Sequence, residues 1–181
     1  MGRNPRSRAR ARCAGGRALG SARRASSLAM DIVRLTAADV ALARRSFEVL
    51  VRAFHEQPEL LGDSYLRTLL ARSEFWALAA RVDGEVVGAL TAHALPMTRA
   101  ETSELFLYDL GVRADWRRRG VGRALVDALC DEGARAGIGV VFVPADGDDT
   151  DALDFYRAVG GAEAPVAIFT FERSPGLRSP P

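Results

Sequence analysis

From residue 30 onward, segments with hydrophobic residues at helical spacing alternate with segments that have the apolar pattern of strands. Apolar residues recur at helical spacing in 40–54, 66–70 and 121–129, which predicts amphipathic helices. Apolar strand-like segments separate these helices, and Asp83-Gly84 predicts a tight hairpin turn between two of them. The predicted order is a strand at 31–35, helices from 40 to about 54 and at 63–72, strands at 75–82, 85–94 and 103–112, a helix at 120–136, a strand at 139–143, a helix at 151–159 and a last strand at 164–171.

This β-α-α-β-β-β-α-β-α-β order predicts a single mixed α/β domain over residues 30–173. The 181-residue length suits one domain, and a hydrophobic content of 48% is enough to bury a core. The short continuous apolar run 139–143 is typical of a buried parallel strand, so a strand–helix–strand crossover should connect it to 103–112.

The two ends of the chain differ from this body. Residues 1–29 hold eight of the 25 arginines and no acid, which predicts a disordered basic leader, and residues 174–181 predict a flexible tail. The leader is either an arm for nucleic acid or membrane or an upstream extension of a protein that starts at Met30; we favour the extension. The remaining 17 arginines face 23 acids, a net charge of −6 that suits a cationic substrate better than nucleic acid.

Cysteine and hydropathy patterns exclude other classes. Cys13 and Cys130 form neither a disulfide framework nor a metal-ligand spacing, so we expect no metal and a reducing, cytoplasmic setting. His55 and His93 also lack partners at metal-ligand spacing. No apolar run approaches the ~20 residues of a membrane-spanning helix, so we expect no membrane association.

A basic, glycine-containing turn joins the apolar strand 105–112 to the following helix. In Arg117-Arg-Arg-Gly120-Val-Gly122 the glycines let the backbone approach a ligand closely, and the N–H groups of a helix start favour an anion such as a pyrophosphate. The turn is neither the dinucleotide-binding fingerprint nor a P-loop. Taken alone, it could equally be a solvated turn.

Three segments in sequence resemble the acetyl-CoA motifs of the GNAT superfamily of N-acetyltransferases: the strand 105–112, the turn 117–122 and the segment 149–160. Residues 30–173 are most similar to its aminoglycoside 3-N-acetyltransferases. The stretches that carry this similarity are Phe75-Trp-Ala-Leu-Ala-Ala80, Val87-Gly-Ala-Leu90, Tyr108-Asp-Leu110, Val143-Pro-Ala-Asp146 and Asp148-Asp149. The resemblance implies the GNAT fold, acetyl-CoA as cosubstrate and direct transfer to the 3-amino group of an aminoglycoside, with antibiotic resistance as the result. It also allows a homodimer, which is common in the family.

The resemblance further implies the roles of individual residues. The strand 105–112 would separate from its neighbour near a bulge and bind pantetheine through main-chain groups, while amides of 118–123 would hold the pyrophosphate. Tyr156 would protonate the departing CoA thiolate, and Asp149 replaces an asparagine common in the family. The implied cofactor-binding residues are Leu110, Gly111, Val112, Arg117, Arg118, Arg119, Gly120, Val121, Gly122, Arg123, Asp149, Ala152 and Tyr156.

Acidic residues supply the chemistry of the acceptor side. Transfer to an amine needs a neutral nucleophile, and Asp109 is our candidate to accept its proton, directly or through water, with help from Asp146. Tyr108 and Asp148 complete the predicted substrate-binding set with these two aspartates. No cysteine lies near the motifs, which favours direct attack without an acyl-enzyme.

These assignments have alternatives. Tyr156 could be a core residue, and 148–154 could be a solvated acidic loop with a helix cap at Thr150 or Asp151. The 55–65 loop, with Glu56 and Tyr65, could reach over the acceptor. Polyamines or protein amines are alternative acceptors, and a non-catalytic CoA-binding regulatory module is an alternative of another class, against which an intact tyrosine and Asp109 argue.

Overall fold

A computed structural model describes residues 30–57 and 59–171 of the chain. The predicted leader 1–29 and tail 174–181 lie outside the described residues. The strands are β1 (Met30–Arg34), β2 (Phe75–Val82), β3 (Glu85–Pro96), β4 (Ser103–Val112) and β5 (Val141–Phe142), and the helices are α1 (Val40–Ala53), α2 (Asp63–Leu70), α3 (Val121–Arg135) and α4 (Thr150–Ala158), with a short 3₁₀ turn at Ala114–Trp116.

The described strands form one five-stranded mixed sheet in the order β1-β2-β3-β4-β5. Neighbouring strands are antiparallel except β4 and β5, which are parallel, so the predicted crossover through α3 is confirmed. The predicted hairpin is confirmed as well, because Asp83 and Gly84 have φ angles of 51° and 82° and directly join β2 to β3. Both angles are those that a two-residue hairpin turn requires.

Helices cover the two faces of the sheet separately. On one face, Leu125 and Leu129 of α3 pack against strand residues that are almost inaccessible, including Leu78, Leu90 and Leu105. On the other face, α1 and α2 bury a smaller cluster around Phe75, Ala77 and Ala79 of β2. Each leucine in the larger cluster contributes roughly 1.5–3 kcal/mol relative to an exposed position. This face therefore carries most of the core.

Two glycines let the helices approach the strands closely. A Cβ on Gly88 of β3 would lie 2.7 Å from Val121 Cγ1 at the start of α3. A Cβ on Gly111 of β4 would lie 2.9 Å from Ala53 Cβ at the end of α1. The start of α3 and the end of α1 are thus held against the centre of the sheet from opposite sides.

The predicted last strand at 164–171 is wrong, because residues 161–171 form no strand. Its large apolar side chains, Val166, Ile168, Phe169 and Phe171, remain 71–90% exposed. The nearly continuous apolar run of this segment is that of a strand, but a strand also needs a partner strand to pair with. Strand β5, predicted at 139–143, is only two residues long and offers its outer edge too few backbone groups for stable pairing.

Candidate active site

A β-bulge in β4 determines which side chains face the α1 side of the sheet. Thr91 pairs with Asp109 and Ala92 with Leu107, so Tyr108 is an extra residue on β4. Side chains of a regular strand point alternately to opposite faces, and one inserted residue reverses that alternation. Tyr108 and Asp109 consequently lie on the same face of the sheet, although they are adjacent in sequence.

The Asp109 carboxylate lies in a half-buried position on this face. Thr91 donates its hydroxyl to Asp109 Oδ2 over 2.9 Å. Burial raises the pKa of Asp109 above its ordinary value; the Thr91 hydrogen bond and nearby His93 oppose the rise, and the Glu56 carboxylate adds to it. A carboxylate with a raised pKa is a stronger base than an ordinary aspartate and can accept a proton from an amine.

A row of aromatic side chains crosses the same face. The His93 ring lies 5.4 Å from Phe75 and 5.6 Å from Tyr108, both in edge-to-face geometry. Tyr108 in turn meets Phe106 at 5.6 Å, and Phe106 stacks on Phe142 at 5.3 Å. Tyr108 is 61% exposed, so this row reaches solvent beside Asp109.

Sequence reasoning assigned no specific role to the groove next to this row. The groove has a volume of about 210 Å³ and lies between α1 and residues that follow it, with Glu48, Glu56 and Glu59 among its lining residues. Phe47 also lines it and meets Phe75 at a ring distance of 6.3 Å, which connects the groove to the aromatic row. The Glu56 carboxylate raises the pKa of Asp109, while the approach of the 55–65 loop to the acceptor stays a prediction.

On the opposite side of β4, the turn 117–122 has the geometry of an anion-binding site. Arg118 and Gly120 have φ angles of 61° and 83°, and α3 begins directly after them. Among the described residues, no backbone carbonyl accepts from the N–H groups of 118–123. Successive unpaired N–H groups at a helix start attract an anion, and the exposed Arg117, Arg118 and Arg119 side chains add positive charge.

Helix α4 packs directly against this turn. A Cβ on Gly122 would lie 3.1 Å from the Phe155 ring and 3.8 Å from Val112 Cγ2. Arg123 also donates from its guanidinium to the carbonyl of Ala158. The end of β4, the start of α3 and α4 are therefore assembled in one place, as the predicted cofactor-binding set requires.

Tyr156 on α4 has features both of a core residue and of a hydrogen-bond donor at the cofactor side. Its ring packs against the main core cluster and meets Phe155 at 5.1 Å. Burial raises the pKa of its hydroxyl to about 12, and the Asp149 carboxylate adds to the rise. The hydroxyl thus stays protonated at neutral pH and can donate a hydrogen bond to an anion such as a thiolate.

The acidic loop between β5 and α4 is organised by its own side chains. Asp148 donates its N–H to Asp146 Oδ1 over 3.1 Å. Asp149 caps α4 by accepting from Ala152 N at 2.9 Å, so the predicted caps at Thr150 or Asp151 are wrong by one or two positions. Asp149 is preferred because its carboxylate can reach the third helical N–H from there. Asp146 and Asp148 are exposed.

Two further observations concern the residues that the structure describes. They include no cluster of three or more histidine, cysteine or acidic side chains able to hold a metal. No helix among them is long and apolar enough to span a membrane.

A turn with the geometry of an anion-binding site lies on one side of the bulged strand, and a carboxylate with a raised pKa lies on the other. Residues 42–160 match the acetyltransferase (GNAT) family. The chain belongs to this family, whose members use acetyl-CoA as acetyl donor. The mixed sheet with helices on both faces is the fold of that family.

This chain aligns with nearly the whole length of two similar proteins whose structures are solved. An aminoglycoside acetyltransferase from an uncultured soil metagenomic sample shares 34% identity with a TM-score of 0.76, over 81% of this chain and 99% of that protein. A second such enzyme, solved with sisomicin, shares 28% identity and a TM-score of 0.76, over 80% and 97% of the two chains.

A curated relative, the ribosomal protein bS18-alanine N-acetyltransferase of Escherichia coli K12, is 29% identical over 73 residues. These residues are 40% of this chain, which spans about half the length of that relative.

The residues present fit acetyl-CoA. The cradle of free N–H groups at 118–123 suits a pyrophosphate, and Gly120 and Gly122 leave the backbone open for close approach. Gly120 has no neighbouring atom within 4 Å of a Cβ position, so its requirement is the positive φ angle. Glycine at position 122 is required instead by the close packing of α4, because a Cβ there would lie 3.1 Å from the Phe155 ring.

Proposed function

We propose that this protein transfers the acetyl group of acetyl-CoA directly to the 3-amino group of an aminoglycoside. The observation that carries the proposal is the position of Asp109. The bulge turns its carboxylate towards the open, acidic face of the sheet, and burial raises its pKa. A base with these properties is what removal of a proton from an attacking ammonium nitrogen needs.

Residues on one side of β4 bind the cofactor, and residues on the other side bind and deprotonate the acceptor amine. Amides of 118–123 hold the pyrophosphate, and main-chain groups of Leu110 and Val112 orient the pantetheine, while acetyl-CoA supplies the activated acetyl group. Asp109 accepts the proton of the amine on the acceptor side. Tyr156 donates a hydrogen bond to the departing thiolate from a hydroxyl that is protonated at neutral pH. Its pKa of about 12 makes it a weaker acid than an ordinary tyrosine, so stabilisation of the thiolate by this hydrogen bond is its contribution.

Charge and similarity support an aminoglycoside as the acceptor. An aminoglycoside carries several ammonium groups, and Glu48, Glu56 and Glu59 line the groove beside Asp109. Asp146 and Asp148 add exposed negative charge in the loop between β5 and α4. The similar structures at 34% and 28% identity are aminoglycoside acetyltransferases, one of them solved with sisomicin. Acetylation would remove one positive charge from the antibiotic and confer resistance.

The second candidate acceptor is a protein N-terminal amine. Its support is the similarity to the bS18-alanine N-acetyltransferase, which covers 73 residues. A peptide with a neutral N-terminal segment would gain less from the acidic groove than a polycation does.

A turnover assay with an acceptor panel tests the proposal. Release of CoA thiol is measured for the full chain with acetyl-CoA and either gentamicin-type aminoglycosides, linear polyamines or peptides that begin with alanine. We expect turnover with the aminoglycosides, a product whose 3-nitrogen carries the acetyl group by NMR, and no reaction with acceptors already acetylated there. Turnover with peptides or polyamines alone would refute the aminoglycoside assignment.

A further inference from the structure

Thr91 is a polar side chain in an otherwise apolar part of the sheet. It lies in the centre of β3, and only 4% of its surface is exposed. Most of its neighbours along the strand, including Ala89, Leu90 and Ala92, are apolar and buried. Burying a hydroxyl is unfavourable unless it makes a hydrogen bond, and its bond to Asp109 Oδ2 meets that need.

The register of the sheet brings these two side chains together. Thr91 and Asp109 are direct partners across β3 and β4, immediately before the bulge. The reversal of side-chain alternation at Tyr108 is what turns Asp109 towards Thr91 rather than towards the α3 face. Direct partners in an antiparallel ladder share a face, so the two side chains lie together on the α1 face of the sheet.

The hydrogen bond makes the two oxygens of the Asp109 carboxylate different from each other. Oδ2 is occupied by Thr91, whereas within residues 30–57 and 59–171 no hydrogen-bond donor reaches Oδ1. A carboxylate fixed through one oxygen has a defined rotamer and presents the other oxygen in a constant direction. Such orientation is worth a large factor in a proton transfer, because the base must lie within hydrogen-bond reach of the attacking nitrogen.

We propose that Thr91 is a positioning residue, which orients the Asp109 carboxylate so that Oδ1 receives the proton of the acceptor amine. This inference rests on the proposed function, in which Asp109 is the base. Thr91 does not touch the substrate in this account, since it is buried beneath the carboxylate.

Other groups also act on Asp109, and the test must separate them from Thr91. Glu56, from the segment after α1, faces the carboxylate with negative charge, and His93 faces it from β3. Tyr108 precedes it on β4 and contacts His93. None of these groups is altered by a substitution confined to Thr91.

Two matched variants isolate the hydroxyl. Thr91→Val keeps the branched shape and removes the donor, whereas Thr91→Ser keeps the donor and removes a methyl group. The first measurement is an NMR titration of the Asp109 carboxyl carbon in the protein without substrates. Thr91→Val should raise the Asp109 pKa by about one pH unit, because a hydrogen bond to the ionised form is lost, and Thr91→Ser should leave it near the wild-type value.

The second measurement is the pH profile of kcat/KM for amine acetylation. In Thr91→Val the acidic limb should move to higher pH by the same amount, with a plateau kcat reduced about tenfold and an unchanged KM for acetyl-CoA. Thr91→Ser should restore both. A purely structural role would lower the urea midpoint but leave the limb in place.

The outcomes distinguish this inference from the proposed function. An unchanged Asp109 titration and an unchanged acidic limb in Thr91→Val would overturn the positioning role even if the wild type is active. A wild type that acetylates no amine would refute the proposed function and with it the role of the pair in catalysis. The NMR titration would still show whether Thr91 controls the Asp109 carboxylate.

Discussion

The contact between Gly111 and the end of α1 gives a prediction that can be worked out from distances. An alanine Cβ at position 111 would lie 2.9 Å from Ala53 Cβ and 3.2 Å from Leu50 Cα. The second atom belongs to the helix backbone, so it moves only if α1 moves. Gly111 does not have a positive φ angle, and the cost of Gly111→Ala therefore comes from this overlap rather than from backbone strain.

The magnitude follows from the cost of overpacking. An extra carbon forced into a close contact costs about 1–3 kcal/mol of the free energy of unfolding. With a urea m-value of about 1–3 kcal/mol/M for a protein of this size, the unfolding midpoint should fall by about 1 M. The displaced helix end leads into Glu56, so KM for the acceptor should also rise.

Urea unfolding of a double-mutant cycle with Ala53→Gly tests this reasoning. Ala53→Gly alone costs up to about 1 kcal/mol because glycine is a poor helix former, yet it removes the nearest overlapping atom. The double variant should therefore lose less stability than the sum of the single variants, with partial rescue because Leu50 remains. Gly147→Ala, which meets no atom within 4 Å, is the control. A wild-type midpoint for Gly111→Ala, or strict additivity in the cycle, would refute the close packing of α1 on β4.

Three further predictions concern the site. Tyr156→Phe should lower kcat while calorimetry shows unchanged CoA affinity, because the ring packing is kept and only the hydrogen-bond donor is lost; a normal rate would remove its role in stabilising the thiolate. Glu56→Gln removes a negative charge that raises the Asp109 pKa, so the acidic limb of kcat/KM should move to lower pH, and a limb that stays or moves upward would contradict this coupling. Gly120→Ala should raise KM for acetyl-CoA at a stability cost of roughly 1 kcal/mol, whereas Gly137→Ala, which also has a positive φ, should cost similar stability without changing KM; equal KM effects would refute the anion-binding role of the turn.

Local signals in the sequence predicted much of the fold. Asp83-Gly84 identified the hairpin because few residue pairs tolerate two positive φ angles. Gly120 identified the start of α3 for a similar reason, because its φ angle is 83°. The strand at 164–171 was predicted from its apolar residues alone, and such a run carries no information about whether a partner edge is available.

The missing parts of the site depend on contacts between distant residues. Thr91 and Asp109 are 18 residues apart, and a buried threonine in an apolar strand gives no signal of its own. Its role depends on the bulge, which reverses the side-chain alternation and becomes specific only once the register of β3 and β4 is known. The effect of Glu56 on Asp109 likewise requires α1 to pack on β4, which a single sequence does not encode in any local pattern.

The most direct test of the central claim is turnover of Asp109→Asn with saturating acetyl-CoA and a gentamicin-type acceptor. Asparagine keeps the shape and can still accept from Thr91, but it cannot take a proton. We predict a loss of kcat of about 10²- to 10⁴-fold with CoA affinity retained, while the same change at exposed Asp127 on α3 leaves kcat unaltered. A kcat for Asp109→Asn equal to that of the wild type would contradict the assignment of Asp109 as the base.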